Sequence, residues 1–264
     1  MIIRSRRRVF AALAVGVLVL AAVYGLRIGP ATSNATYSSW PAVFSEVIGG
    51  PTVLVVIAVA AAIGGLPIAV AMNERWPAHL RTRMRIQRWV VTEVLGRSVI
   101  VAVAGAVCVL LWGVLLFGWI APRSPGLVNP GNYGGPAEVA AMVDGSYPLF
   151  AAVGRSTPAF VALSALWIGV HAGLIALAAG VAALVVRNRV LALLLPAAVL
   201  LVVSLGMELL GRPSASPFIM WMHPGGLLPT ELGQSFVPTA VLVVACLAVL
   251  AVVVHRSPTL ARFS

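Results

Sequence analysis

The histidines and cysteines of this chain do not form a recognisable metal or nucleophile motif. The four histidines are scattered and lack the short spacing of zinc ligands. Cys108 and Cys246 both lie inside apolar runs without a CxxC spacing, which indicates buried and inert thiols. The sequence therefore predicts no metal, no cofactor and no disulfide.

Lysine is absent, and all 18 basic residues are arginine. A phosphate-binding P-loop needs a lysine that reaches the β- and γ-phosphates, so this chain cannot carry that motif. A retinal Schiff base is excluded for the same reason. The HExxH motif of zinc proteases and the GxSxG motif of serine hydrolases are also missing. We therefore expect a protein that is not catalytic by itself.

Two ionisable residues, one inside a long apolar stretch and one at the end of another, are candidates for a translocation path or gate. His171 lies near the middle of one stretch, between Gly169 and Gly173, and an ionisable group at that depth is costly and often functional. The small neighbours also permit close helix packing, in which a neutral imidazole bonds a neighbouring backbone. Glu208 closes the next stretch, as a polar helix end or as a gate. Both interpretations stay open for each residue.

The composition indicates a membrane protein. Hydrophobic residues make up 61% of the 264 positions, charged residues only 9%, and the mean hydropathy is +1.03. A soluble domain is about half apolar and about a quarter charged. The net charge of +11 sits beside long apolar runs, which favours a membrane surface over nucleic acid as its counterpart. We expect one all-α transmembrane domain that partners the lipid bilayer.

Six stretches are apolar and near the length of about 20 residues that a spanning helix needs. The first follows four arginines and is interpreted as an uncleaved anchor, because its apolar run exceeds the core of about 7–15 residues of a signal peptide. The small residues at 31–35 leave cleavage as the alternative. The predicted spans are 9–26, 53–72, 98–120, 160–186, 190–207 and 236–254.

Arginine placement predicts the orientation of these spans. With the N-terminus in the cytoplasm, 14 arginines fall on inside segments and four on outside loops. We therefore predict an N-in, C-in topology. Arginine without lysine, together with abundant alanine and valine, indicates a GC-rich bacterial genome and hence a bacterial cell membrane.

The predicted outer loops are 121–158 and 208–235. Proline, glycine and asparagine are frequent in the first, so we expect turns and irregular chain there. The second contains a short apolar run at 218–222, which suits an interfacial helix or a re-entrant turn. On the other side, residues 187–189 alone join the fourth and fifth spans, which predicts an antiparallel helical hairpin.

The cytoplasmic segment between spans two and three predicts a basic amphipathic helix at about 77–97. Apolar residues, among them Val91, Val94 and Leu95, recur at spacings of three or four, and arginines cover most of the rest. Such a helix either anchors the chain on anionic lipid or docks on a partner.

The order of these elements resembles the permease subunits of bacterial type-2 ABC exporters. The resemblance lies in Glu74 after span two, the step Leu80-Arg81-Thr82, Arg97 before span three, and the proline-containing segment at 222–229. It implies a separate cytoplasmic ATPase, a second permease copy and coupling through Glu74, Arg81 and Arg97. The function expected from it is export of an amphipathic or lipid-like substrate. The alternative is a non-transporting membrane scaffold or accessory subunit of a multi-protein complex.

Overall fold

A computed structural model describes five ranges of the chain. The first predicted span, the candidate coupling residues Glu74 and Arg81, and most of the segment at 208–235 lie outside them. The described ranges are 37–49, 51–73, 86–212, 216–217 and 232–256.

The described part of the chain is helical and holds no β-strand apart from one isolated bridge between Tyr37 and Val128. The long helix Ile86–Leu115 is continued by a π-helical turn, Leu116–Ile120, and a short helical turn, Ala121–Arg123. The helices are α1 (Trp40–Ile48), α2 (Pro51–Asn73), α3 (Ile86–Leu115), α4 (Pro136–Ser146), α5 (Pro148–Ala152), α6 (Thr157–Val185), α7 (Arg189–Leu209) and α8 (Leu232–Arg256).

Five of these helices are long and apolar enough to cross a membrane, so the chain is an all-α, membrane-embedded protein. Each of the last five predicted spans falls within one of them, or within one residue of it. The five candidate spans are Thr52–Asn73, Gln87–Arg123, Thr157–Val185, Arg189–Leu209 and Thr239–Arg256.

Helix α6 is the centre of the bundle. Inside the structure, 83% of its most apolar window is buried, against 44% or less in each of the other four. The apolar residues exposed on α3, α7 and α8 form the outer surface of the bundle, which suits contact with lipid or with another membrane protein. Because hydrocarbon is as apolar as leucine, close packing rather than the hydrophobic effect has to hold these helices together.

Glycines let the neighbouring helices approach α6 closely. A Cβ atom built on Gly64 of α2 would lie 2.5 Å from the carbonyl oxygen of Ala176. On the other side, a Cβ built on Gly169 would lie 2.6 Å from the carbonyl oxygen of Ala102 in α3, and one on Gly173 would lie 2.9 Å from that of Ser98. Real Cβ atoms do not come this close, so only glycine fits at these positions. The backbone of α6 therefore packs directly against the backbones of α2 and α3.

One continuous helix, α3, covers the end of the predicted cytoplasmic helix and most of predicted span three. Helix α3 begins at Ile86 and runs without a break through residue 98. Trp89, Val90 and Val94 are buried in a cluster with residues of α2, α6, α7 and α8, whereas Leu95 is 36% exposed. The buried face is thus set by Val90 and Val94, one turn apart, because that face meets α6.

The bundle has two chemically different ends. The loop end comprises residues 37–49 and 121–156, and the arginine end carries Arg88, Arg187, Arg189 and Arg256. The loop end is more helical than its turn residues predict, because Pro136 and Pro148 stand in the first turns of α4 and α5, where proline is tolerated.

Candidate functional site

His171 is the most deeply buried ionisable group among the described residues. Its side chain is 1% exposed within α6. Its Nδ1 lies 2.7 Å from the carbonyl oxygen of Trp167, one turn earlier, and its Nε2 lies 2.9 Å from Oγ1 of Thr239 in α8. A carbonyl oxygen can only accept, so Nδ1 carries a proton. In the neutral imidazole Nε2 then accepts a hydrogen bond from the Thr239 hydroxyl.

The helices around His171 explain its position. Gly169 and Gly173, on either side of His171, pack on α3. The same segment of α6 therefore contacts α3 through these glycines and α8 through the imidazole. The imidazole ring centroid lies 4.6 Å from that of Trp167, with the planes tilted by 44°. The imidazole thus contacts the ring and the carbonyl oxygen of Trp167 on its own helix, and the hydroxyl of Thr239 on α8.

Thr239 is a site residue that the sequence reasoning missed. It lies at the start of the sixth apolar stretch, directly after Pro238, and a lone threonine in such a stretch is a weak signal. Its pairing depends on α8 running beside α6 in the same direction, which the hydrophobic pattern does not encode. The pairing gives His171 a structural task, because it joins the central helix to α8 inside the apolar layer.

Protonation of His171 would change this arrangement. An imidazolium donates from both nitrogens, so the Thr239 hydroxyl would have to turn its hydrogen away and accept instead. A charge at this depth is also costly unless it is solvated or paired. The geometry therefore suits a neutral imidazole that links two helices.

Glu208, the second predicted path residue, is placed elsewhere. It lies in the last turn of α7, near the loop end, and its side chain is exposed. Its backbone carbonyl accepts from the N–H of Gly211, which closes the helix. Neither of the two hydrogen bonds from the His171 ring described above reaches Glu208.

Arg97 forms an ion pair within its own helix. Its Nη2 lies 2.7 Å and its Nε 2.8 Å from Oε2 of Glu93, and the two side chains are 26% and 28% exposed. Arg97 lies 11 positions after Ile86, about 16 Å along the helix axis. The spacing of four residues between Glu93 and Arg97 is the signal that could have identified this pair from sequence.

The loop end carries a second polar group of residues. Arg155, whose φ is +60°, donates from Nη2 and Nε to the Asp144 carboxylate at 2.6 and 3.2 Å. This hydrogen bonding lowers the pKa of Asp144. Burial, and secondarily the negative charge of Glu46, raises the pKa of Tyr147 to about 12. Arg155 also borders an open cavity of about 500 Å³, walled mainly by Pro136, Val139, Ala140 and Val143.

These polar groups do not converge on one reaction centre. Within the described ranges no three histidine, cysteine or acidic side chains are close enough to hold a metal ion. What the arrangement provides is one buried interhelical link, one ion pair within a helix and one polar patch at the loop end. Comparisons with family models, with curated proteins and with solved structures gave no match for this chain.

Proposed function

We propose that the chain is the membrane-spanning permease subunit of an ABC-type exporter. In this proposal a separate cytoplasmic ATPase supplies the energy, and the substrate is amphipathic or lipid-like. The chain spans a bacterial cell membrane six times with both termini inside, and it pairs with a second permease copy. The arginine end faces the cytoplasm and the loop end faces outward.

The observation that carries the proposal is the continuity of helix α3. The helical segment Gln87–Arg123 has 37 residues, which is about 55 Å of helix, and the hydrocarbon layer is about 30 Å thick. Its first turns pack against the other helices through the buried side chains of Trp89, Val90 and Val94. A push applied near residue 86 is therefore passed to the whole bundle, which is what coupling to an ATPase requires.

The interior of the bundle agrees with a path between two copies rather than through one. Among the described residues the buried side chains are mostly apolar or small. The buried polar side chains are six serines, Thr52 and His171. Such a core leaves little polar lining for a substrate inside a single bundle. A path shared with a second copy would use the outer faces of the helices instead.

The candidate coupling residues differ in the observations that support them. Glu74 and Arg81 lie outside the described residues and rest on the resemblance alone. Arg97 already has a partner in Glu93, so its role would be to hold the start of α3 rather than to touch the ATPase. Glu208 remains a gate candidate at the outer face.

The second candidate is a membrane scaffold or accessory subunit. The link between His171 and Thr239 favours it, because both imidazole nitrogens are satisfied by the protein itself. A residue so enclosed needs no substrate path. A scaffold would use the exposed apolar faces to bind other membrane proteins.

A photo-crosslinking amino acid at residue 88 tests the proposal in whole cells. Arg88 is exposed near the start of α3, and Arg212 is exposed near the opposite end of the bundle, so position 212 is the matched control. We expect a P-loop ATPase to be captured from position 88 and not from position 212. Capture of integral membrane proteins alone from position 88 would favour the scaffold. Capture of the ATPase from position 212 would contradict the proposed orientation.

A further inference from the structure

The turn between α6 and α7 carries two exposed arginines, Arg187 and Arg189. The ion pairs of the described residues involve neither of them. Asn188 holds the turn, since its Oδ1 accepts from the backbone N–H of Val190 at 2.9 Å and of Leu191 at 3.2 Å. The short connection between α6 and α7 therefore has a defined backbone conformation, and both guanidinium groups are attached to it.

The end of the bundle that carries this turn is basic. Gln87 donates from Nε2 to the carbonyl oxygen of Val254 at 3.2 Å, which places the adjacent Arg88 and Arg256 at this same end. Glu93, the described carboxylate closest to this end, is already engaged with a guanidinium of its own helix. The other described carboxylates belong to the loop end and the last turn of α7: Glu46, Glu138, Asp144 and Glu208.

An exposed apolar surface begins directly beside the two arginines. Val190 and Leu194, one turn apart on α7, are 60% and 58% exposed, and Val185 at the end of α6 is 57% exposed. Both helices are long and apolar enough to span a membrane, so this surface is suited to contact lipid chains. A cationic turn continuous with an acyl-contacting face matches a molecule that has an anionic head and an apolar tail.

We propose that the turn at 187–189 is a binding site for an anionic phospholipid. The phosphate contacts Arg187 and Arg189, and one acyl chain lies along Val190 and Leu194. A free anion would use only the arginines, and a zwitterionic lipid would bring a positive group into a basic region. The site exists whether or not the chain is a transporter subunit.

Native mass spectrometry and thermal unfolding of the purified full-length chain in mild detergent test this site. The probes are phosphatidylglycerol, phosphatidylcholine with the same acyl chains, and inorganic phosphate. The variant is R187Q/R189Q, and R212Q is the control for loss of an exposed arginine. We expect phosphatidylglycerol to bind and stabilise more than phosphatidylcholine, and the double variant to bind it about fivefold more weakly for each arginine removed.

Three results would overturn the proposal. Equal binding of the two lipids by the unchanged protein would remove the headgroup preference, and this comparison needs no variant. Full preference for phosphatidylglycerol in R187Q/R189Q would place the anion site elsewhere. Stabilisation by inorganic phosphate equal to that by phosphatidylglycerol would indicate a site for free anions. Retention of the preference in R212Q alongside its loss in the double variant would support the site.

Discussion

At the scale of single residues, His171 and Thr239 join α6 to α8 inside the bundle. The imidazole satisfies one nitrogen on its own backbone and the other on the facing helix. Polar links between membrane helices stabilise by only about 0.6 kcal/mol on average and up to about 1.7 kcal/mol. Such a link can still set which faces of two helices meet, because its geometry is directional.

Replacing Thr239 with valine tests the link. Valine keeps the shape of threonine but removes the hydroxyl, so Nε2 of His171 loses its partner. We expect T239V to lower the free energy of unfolding in detergent by about 1 kcal/mol. T239S keeps a hydroxyl and should retain much of the stability. Equal stability of T239V and the unchanged protein would show that the link contributes nothing.

Tyr147 gives a pH-dependent prediction at the same scale. Its raised pKa means that the folded protein disfavours the phenolate, whereas the unfolded chain ionises near the ordinary value of 10.0. Its contribution to stability is therefore complete below pH 10 and is lost as the pH rises toward about 12. A spectrophotometric titration of phenolate should show a late step contributed by Tyr147.

The late step should vanish in Y147F and persist in Y133F, because Tyr133 is exposed. E46Q should shift that step to slightly lower pH, since the Glu46 charge is the secondary cause of the raised pKa. A titration curve that Y147F leaves unchanged at high pH would contradict the burial described here.

At the scale of helices, the bundle depends on glycines at backbone contacts. Gly64 has no room for a methyl group against Ala176, whereas a Cβ on Gly96 of α3 would meet nothing within 4 Å. Gly64 and Gly96 both stand inside membrane helices, so the pair separates packing from helix propensity. The difference between them is the space on the neighbouring helix.

The variants G64A and G96A test this packing. We expect G64A to destabilise the bundle by about 1–3 kcal/mol through overpacking. G96A should be neutral or stabilising by up to about 1 kcal/mol, because alanine favours a helix. Thermal unfolding of both variants in one detergent measures the difference. Equal effects would mean that α2 and α6 are not in backbone contact.

Hydrophobic run length predicted five described helices well, because a bilayer demands uniform apolar stretches and the chain supplies them. It does not separate the predicted cytoplasmic helix from span three, since α3 runs through both and its early turns pack inside the bundle. Helix α1 was missed altogether, although Ser39 caps it and Pro41 stands in its first turn. Short helices outside the bilayer carry too few apolar residues to reveal themselves by run length.

The candidate site was predictable in part. His171 stood out because an ionisable residue in an apolar run is rare, and Glu93 could have been paired with Arg97 by spacing alone. Thr239 could not, since its contact with His171 depends on how α6 and α8 face each other. An ionisable residue in an apolar run can be recognised from the sequence, but its partner on another helix cannot.

At the scale of the whole molecule, charge divides the chain into two ends. Among the described residues, the carboxylates lie toward the loop end, except for Glu93. Under the predicted topology, 14 of the 18 arginines face the cytoplasm. The proposed exporter would use this basic end twice, to meet a cytoplasmic ATPase and to hold anionic lipid around the bundle.

The central claim is that this chain works with a separate ATPase, and co-purification from the native membrane tests it most directly. The chain is extracted in mild detergent and its partners are quantified by mass spectrometry. We predict a P-loop ATPase at near-equal stoichiometry, lost when Glu74 and Arg81 are both replaced by alanine and retained in R212A. Absence of any ATPase, under conditions that preserve a known ABC complex from the same membrane, would contradict the claim and leave the scaffold as the better account.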